Sequence, residues 1–117
     1  MRILGFSKKW DKLYQKEFTT FRCLRRDKDW EVGEQVQIVY KPRSKDKELM
    51  GIAEIIDRCE KHIATYGFRM GVTNEEAQAD GFENRDDMLR WMVKTYGGLP
   101  SLMNKLLLAW VDKNGTN

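Results

Sequence analysis

The sequence predicts an α+β fold: a small, mostly antiparallel β-barrel of about five strands, with about three helices packed at one side. Three observations carry this. Runs of β-forming residues recur through the chain, polar turns containing Gly or Pro separate them, and helix caps concentrate in one late stretch, residues 72–97. At 117 residues the chain reads as a single domain spanning 1–117. A domain of that size buries somewhat over ~60% of its unfolded surface, enough for a core without staples.

"RILGF" is short and apolar and suits a first strand. In "SKKWDKLYQKEF", Ser7 can cap a helix whose one face carries Phe6, Trp10, Leu13 and Tyr14, with Lys8, Lys9, Lys12 and Lys16 around the other. "TTFRCL" has β-formers at nearly every position and reads as a strand. "RRDKDWEVGE" is a polar connection turning at Gly33. "EQVQIVYKP" alternates, Val36, Ile38 and Tyr40 against Gln35, Gln37 and Val39, and stops at Pro42.

"ELMGIAEIIDRCEKHI" reads as a long strand bulged or bent at Gly51, although "AEIIDRCEKH" also fits a helical period. Thr73 and Glu76 form a capping box for a helix that Gly81 stops. Asn84 caps the next helix, Asp86 and Asp87 suit its dipole, Met88, Leu89, Met92 and Val93 form its buried stripe, and Gly97 ends it. "NKLLLAWVDK" reads as a central strand and "NGTN" as a frayed tail.

Composition is that of a globular chain, 41% hydrophobic and 33% charged, the latter above the usual ~25%. No apolar run approaches the ~18 residues of a membrane span, and the N-terminus lacks a signal-peptide core, so a cytoplasmic location without membrane contact is expected. Residues 1–47 hold 13 Lys/Arg against 7 Asp/Glu, and residues 48–117 hold 8 against 11. That asymmetry suits a one-sided anion-binding surface as well as a scatter of solvated charges. Cys23 and Cys59 lie far apart with no partner Cys, which excludes a metal site and suggests reduced, buried fillers; neither metal nor cofactor is expected. His62, at a strand end, reads as a surface or structural histidine.

The candidate binding residues start in "KEFTTFRCLRR", where charges surround Thr19 and Thr20. Thr20 and Arg22, two apart on a strand, share a face. A hydroxyl beside a planar guanidinium fork suits a phosphate or a carbonyl. The other reading pairs Arg22 with Asp80 or Glu76 across the barrel–helix junction. Arg25, Arg26 and Lys28 on one turn and Lys41, Arg43 and Lys45 on the next, turns that adjacent antiparallel strands would bring together, place cations near Trp30 and Tyr40, the combination that single-stranded RNA binding requires. Interleaved acids at Asp27, Asp29, Glu31 and Asp46 leave a merely solvated turn open. Trp10, Trp91 and Trp110 fall on apolar faces and read as core, whereas Trp30, in a polar loop, is expected to be partly exposed and free to stack.

Taken in order, "FTTFR", "WEVGEQVQIVY", "GIAEI" and above all "EEAQADGF", with the following helix ending in "YGG", resemble the ASCH domain of the PUA-like superfamily over nearly the whole chain. The resemblance implies a PUA-like barrel with a cleft beside its helices and an RNA or nucleotide-like ligand. One branch resembles a small amidohydrolase of acetylated cytidine that works through a Lys, a Thr and a carboxylate. Aligned on Arg22, the threonine is Thr20 and the carboxylate from "EEAQADGF" is Asp80. Glu17 stands in the lysine's place, with Lys16 one residue earlier. A lysine of depressed pKa would activate Thr20, and the carboxylate would orient the proton transfer. The resemblance thus leaves two function classes, an RNA- or nucleotide-binding module and a small amidohydrolase or ribonuclease.

Overall fold

A computed structural model describes residues 1–63 and 71–113; the tail "NGTN" lies outside them. The strands are β1 (Arg2–Phe6), β2 (Glu17–Cys23), β3 (Gln35–Tyr40), β4 (Glu48–His62) and β5 (Leu102–Lys113), and the α-helices are α1 (Asn74–Asp80) and α2 (Arg85–Tyr96). They form one mixed five-stranded sheet in the order β1-β3-β4-β5-β2. β1 runs parallel to β3, and the other neighbours are antiparallel.

β1 and β2 are therefore the edges, yet the rings of Phe6 on β1 and Phe18 on β2 meet edge to face at 6.2 Å. The sheet has curled into a half-barrel. Its inner core holds Leu4, Val36, Ile38, Ile55, Leu106 and Leu108. Breaks in register produce the curl. Met50 on β4 has no partner across the Ile38/Val39 step, next to Gly51 at φ 150°. A Cβ at Gly51 would run into the carbonyl of Asp112 on β5. A second break between Ile55 and Asp57 bends β4 again. The 48–62 run is thus bulged strand from end to end, 15 residues long, with no helical part.

A second core lies outside the half-barrel, where α1 and α2 cover Phe21 and Met103 with Ala77, Met88 and Met92. β2 is consequently buried on both faces, which is why β-formers occupy nearly every position of its run. The caps are as the sequence predicts. Thr73 and Glu76 close a capping box, Asn84 accepts from the Asp87 amide, and Gly81 and Gly97 stop the helices with left-handed backbones.

Three expectations need correction. The first predicted helix is a single 3-10 turn, Asp11–Tyr14, entered from extended Trp10 without a Ser7 cap, so the α-helices number two rather than three. The face it was expected to bury does not go inward as a unit: Tyr14 is 61% exposed, whereas Lys12 is 5% exposed. On α2 Met88 and Met92 are fully buried and Leu89 packs beside them half-buried, whereas Val93 is 46% exposed.

Glu76 clamps the helices to the sheet. It accepts from Lys105 at 2.7 Å and forms an ion pair with Lys61 at 3.2 Å, joining α1 to β5 and β4. Burial alone would raise this carboxyl, but hydrogen bonds from Lys105, the Thr73 amide and Lys61 outweigh it and bring it to about 2. A depressed carboxyl adds stability above its unfolded pKa and loses it as pH falls through the folded value. Chemical denaturation between about pH 4.5 and 2 should therefore show a steep loss of stability, and Glu76→Gln should flatten that limb while lowering stability at pH 7.

Candidate functional site

A cleft of about 620 Å³ opens where the edge strands β1 and β2 face each other, beside α2. Its mouth is made by the turn after β3. Lys41 has a left-handed backbone at φ 47°, and its amide donates to the Phe6 carbonyl at 2.8 Å. Gly5 on β1 lets the ring of Pro42 lie against the chain, since a Cβ there would come within 2.6 Å of Pro42 Cγ. This folds Lys41 and Arg43 over the opening, both exposed.

The floor comes from β2. Thr20 is buried and Arg22 half-buried, on the same inward face. Arg22 Nε donates to Thr20 Oγ1 at 3.0 Å, and the guanidinium lies over the Phe6 ring at 4.6 Å. Among the described residues no carboxylate forms an ion pair with Arg22, and its terminal nitrogens have no hydrogen-bond partner. Burial pushes this guanidinium below the usual arginine range, with Tyr96 and Asp80 opposing the shift. A desolvated cation with no carboxylate in direct contact attracts an incoming anion or carbonyl.

Deeper, Lys12 Nζ meets Asp80 Oδ1 at 3.0 Å, with both side chains buried. Thr19, on the outward face of β2, donates its hydroxyl to the same oxygen at 3.4 Å. Burial pushes the Lys12 amine down and the Asp80 carboxyl up, and each partner restrains the other's shift. The pair ties the 3-10 turn to the last residue of α1. Aromatic rings wall the cleft: Trp10 lies 5.0 Å from Phe82 and 6.5 Å from Trp91, and Trp91 meets Tyr96 edge-on at 6.1 Å. Gly81 makes this possible, because a Cβ there would approach Trp10 Cε3 to 2.7 Å.

Of the residues expected from the sequence, the cleft gathers Thr20, Arg22, Lys41, Arg43 and Asp80, and Thr19 touches it through Asp80. Lys16 is exposed and outside it; the lysine at Asp80 is Lys12. The two basic turns do not adjoin. Residues 24–34 lead into β3 and 41–47 leave it, so Arg25, Arg26 and Lys28 lie at the opposite end of that strand from Lys41, Arg43 and Lys45. Arg25 pairs with Asp27 at 3.0 Å.

Trp30 is not exposed but 4% accessible, with the guanidinium of Arg2 at 4.3 Å and that of Arg25 at 5.4 Å from its ring. Asp29 organises the loop that covers it, accepting from Asn104 at 2.8 Å and Arg58 at 3.2 Å. Trp10 and Trp91, half-buried, pack against the two cores as expected but also wall the cleft, and half-buried Trp110 packs on Phe18 at 5.3 Å. Arg22 bridges to neither Asp80 nor Glu76, since lysines hold both. Cys23 and Cys59 lie in strands as free thiols but are exposed, Cys23 as the last residue of β2 and Cys59 within the exposed second half of β4. His62 is exposed at the end of β4. Among the described residues no group of three His, Cys, Asp or Glu is placed to hold a metal, and no helix is long and apolar enough to cross a membrane.

No family model matches the chain, and comparison with curated proteins and with solved structures found no match to either. The likeness to ASCH domains therefore stands on the motifs quoted above.

Removing one member of a buried ion pair strands the other, whereas replacing both with apolar groups is often neutral. Lys12→Met should cost about 3 kcal/mol in urea unfolding, and adding Asp80→Leu should restore most of it.

Proposed function

We propose that this protein is an RNA- or nucleotide-binding module of the ASCH, PUA-like type, with the ligand held in the cleft between half-barrel and helices. The observation that carries the reading is Arg22: a half-buried guanidinium on a cleft floor, hydrogen-bonded to Thr20 and lacking a carboxylate among the described residues. Around it the cleft supplies the other requirements. Trp10, Trp91 and Tyr96 offer faces or edges for a base, and Lys41 and Arg43 offer charge at the mouth. Arg25 and Arg26, at the far end of β3, contribute field rather than contact, and buried Trp30 contributes neither.

The Lys12–Asp80 pair favours a second reading, a small amidohydrolase, with Lys12 in the role assigned from the sequence to Lys16. In that chemistry the neutral Lys12 amine takes the Thr20 proton as the hydroxyl oxygen adds to an amide carbonyl and passes it to the nitrogen as the C–N bond breaks, Asp80 orients the transfer, and water then hydrolyses the Thr20 ester to release the acid.

Fluorescence anisotropy with single-stranded RNA across a salt series tests the binding reading. Lys41→Ala with Arg43→Ala should weaken binding and reduce the salt slope by about 1.4, the release expected for two phosphate contacts on a single strand. An unchanged affinity and slope would count against it. Incubation with acetylated cytidine separates the readings: turnover abolished by Lys12→Met supports the hydrolase, and binding without turnover supports the module.

A further inference from the structure

Trp10 belongs to two hollows. Besides the main cleft it lines a smaller one of about 310 Å³, and Lys12 and Phe82 are also common to both. The smaller hollow is walled by Lys8, Lys9 and Asp11 from the segment before β2, and by Gln78 and Gly81 from the end of α1. Lys9 is engaged by Glu48 at 3.0 Å and Lys12 by Asp80 at 3.0 Å. Lys8 is different. Its ammonium lies 4.4 Å from the centre of the Trp10 ring, and it forms no ion pair among the described residues. Asp11, the carboxylate on this wall, is outnumbered by lysines.

We propose that this hollow is a phosphate subsite, and that the ligand is a single-stranded oligonucleotide longer than one nucleotide. The inference rests on the nucleotide-binding reading above and extends it past Trp10. A base in the main cleft places its ribose near the rim of the indole, and the phosphodiester on its 3′ side, which uridine 5′-monophosphate lacks, then falls beside Lys8. A single negative charge meets a single uncompensated ammonium, which the ring already holds in place. The indole serves both hollows, as a stacking surface on one side and as the support of the cation on the other. Gly81 keeps the two joined, since a side chain there would displace Trp10.

The test compares uridine 5′-monophosphate with the di- and trinucleotides of uridine by calorimetric titration. The wild type should bind the dinucleotide about fivefold more tightly than the mononucleotide, and the trinucleotide little better still. Lys8→Glu should abolish that gain and leave mononucleotide affinity within about twofold. Lys28→Glu, an identical charge change at the opposite end of β3, should leave the gain intact. Persistence of the gain in Lys8→Glu, its loss in Lys28→Glu as well, or its absence from the wild type overturns the subsite while leaving the main cleft standing. Failure of all three ligands to bind overturns both.

Discussion

The buried pair of Lys12 and Asp80 is the interaction on which the cleft depends. Taking two charges out of water costs several kcal/mol per ion, and only close geometry with further hydrogen bonds offsets it. Here the lysine comes from a four-residue 3-10 turn and the carboxylate from the last residue of a seven-residue helix, elements too short to hold position unaided. The pair fixes the one against the other. Trp10 is thereby seated on Gly81, and α2, which follows, is placed across the opening between the edge strands. Glu76, with lysines from β4 and β5, makes a comparable tie on the outer side of the same helix.

Two cations at one cleft have opposite electrostatic fates. Lys12 is neutralised from within and contributes little net field. Arg22, three residues from Thr19 on the same strand, has a hydroxyl and the face of Phe6 but no ion-paired carboxylate among the described residues. A cation–π contact partly stabilises a buried guanidinium but leaves its fork of donors unfilled. The inner charge thus organises the protein and the outer one remains available to a ligand. The same distinction separates the two ends of β3. At one end Asp29 gathers the local arginines into a network that covers Trp30; at the other, Lys41 and Arg43 border an opening.

Features governed by local rules were legible in the sequence. The alternation of β3, the bend at Gly51, both helix caps and both glycine stops follow from neighbours within a few residues, and the structure has them. Thr20 and Arg22 share a face because strand periodicity requires it. What was not legible depended on distant partners. Lys12 fell on the polar side of a presumed helix, and only the carboxylate 68 residues later makes its burial tolerable. The two basic turns were expected to adjoin, yet they flank a single strand, β3, whose length holds them apart. β2 pairs with β5, which sends the 24–34 connection across the end of the half-barrel. Trp30 was misjudged for the same reason, since a polar loop suggests exposure until Arg2 and Asn104, remote in the chain, fold it down. Trp10 packs on the core as its apolar face suggests, but the opening beside it makes its ring a cleft wall as well.

The four tryptophans make the central claim directly measurable, since two line the cleft and two do not. In a proton–nitrogen correlation spectrum titrated with uridine monophosphate, the indole signals of Trp10 and Trp91 and the Nε–H signal of Arg22 should shift together and saturate at one ligand concentration, while those of Trp30 and Trp110 stay in place. Shifts gathered at Trp30 and its loop, or no movement at Arg22, would contradict the account.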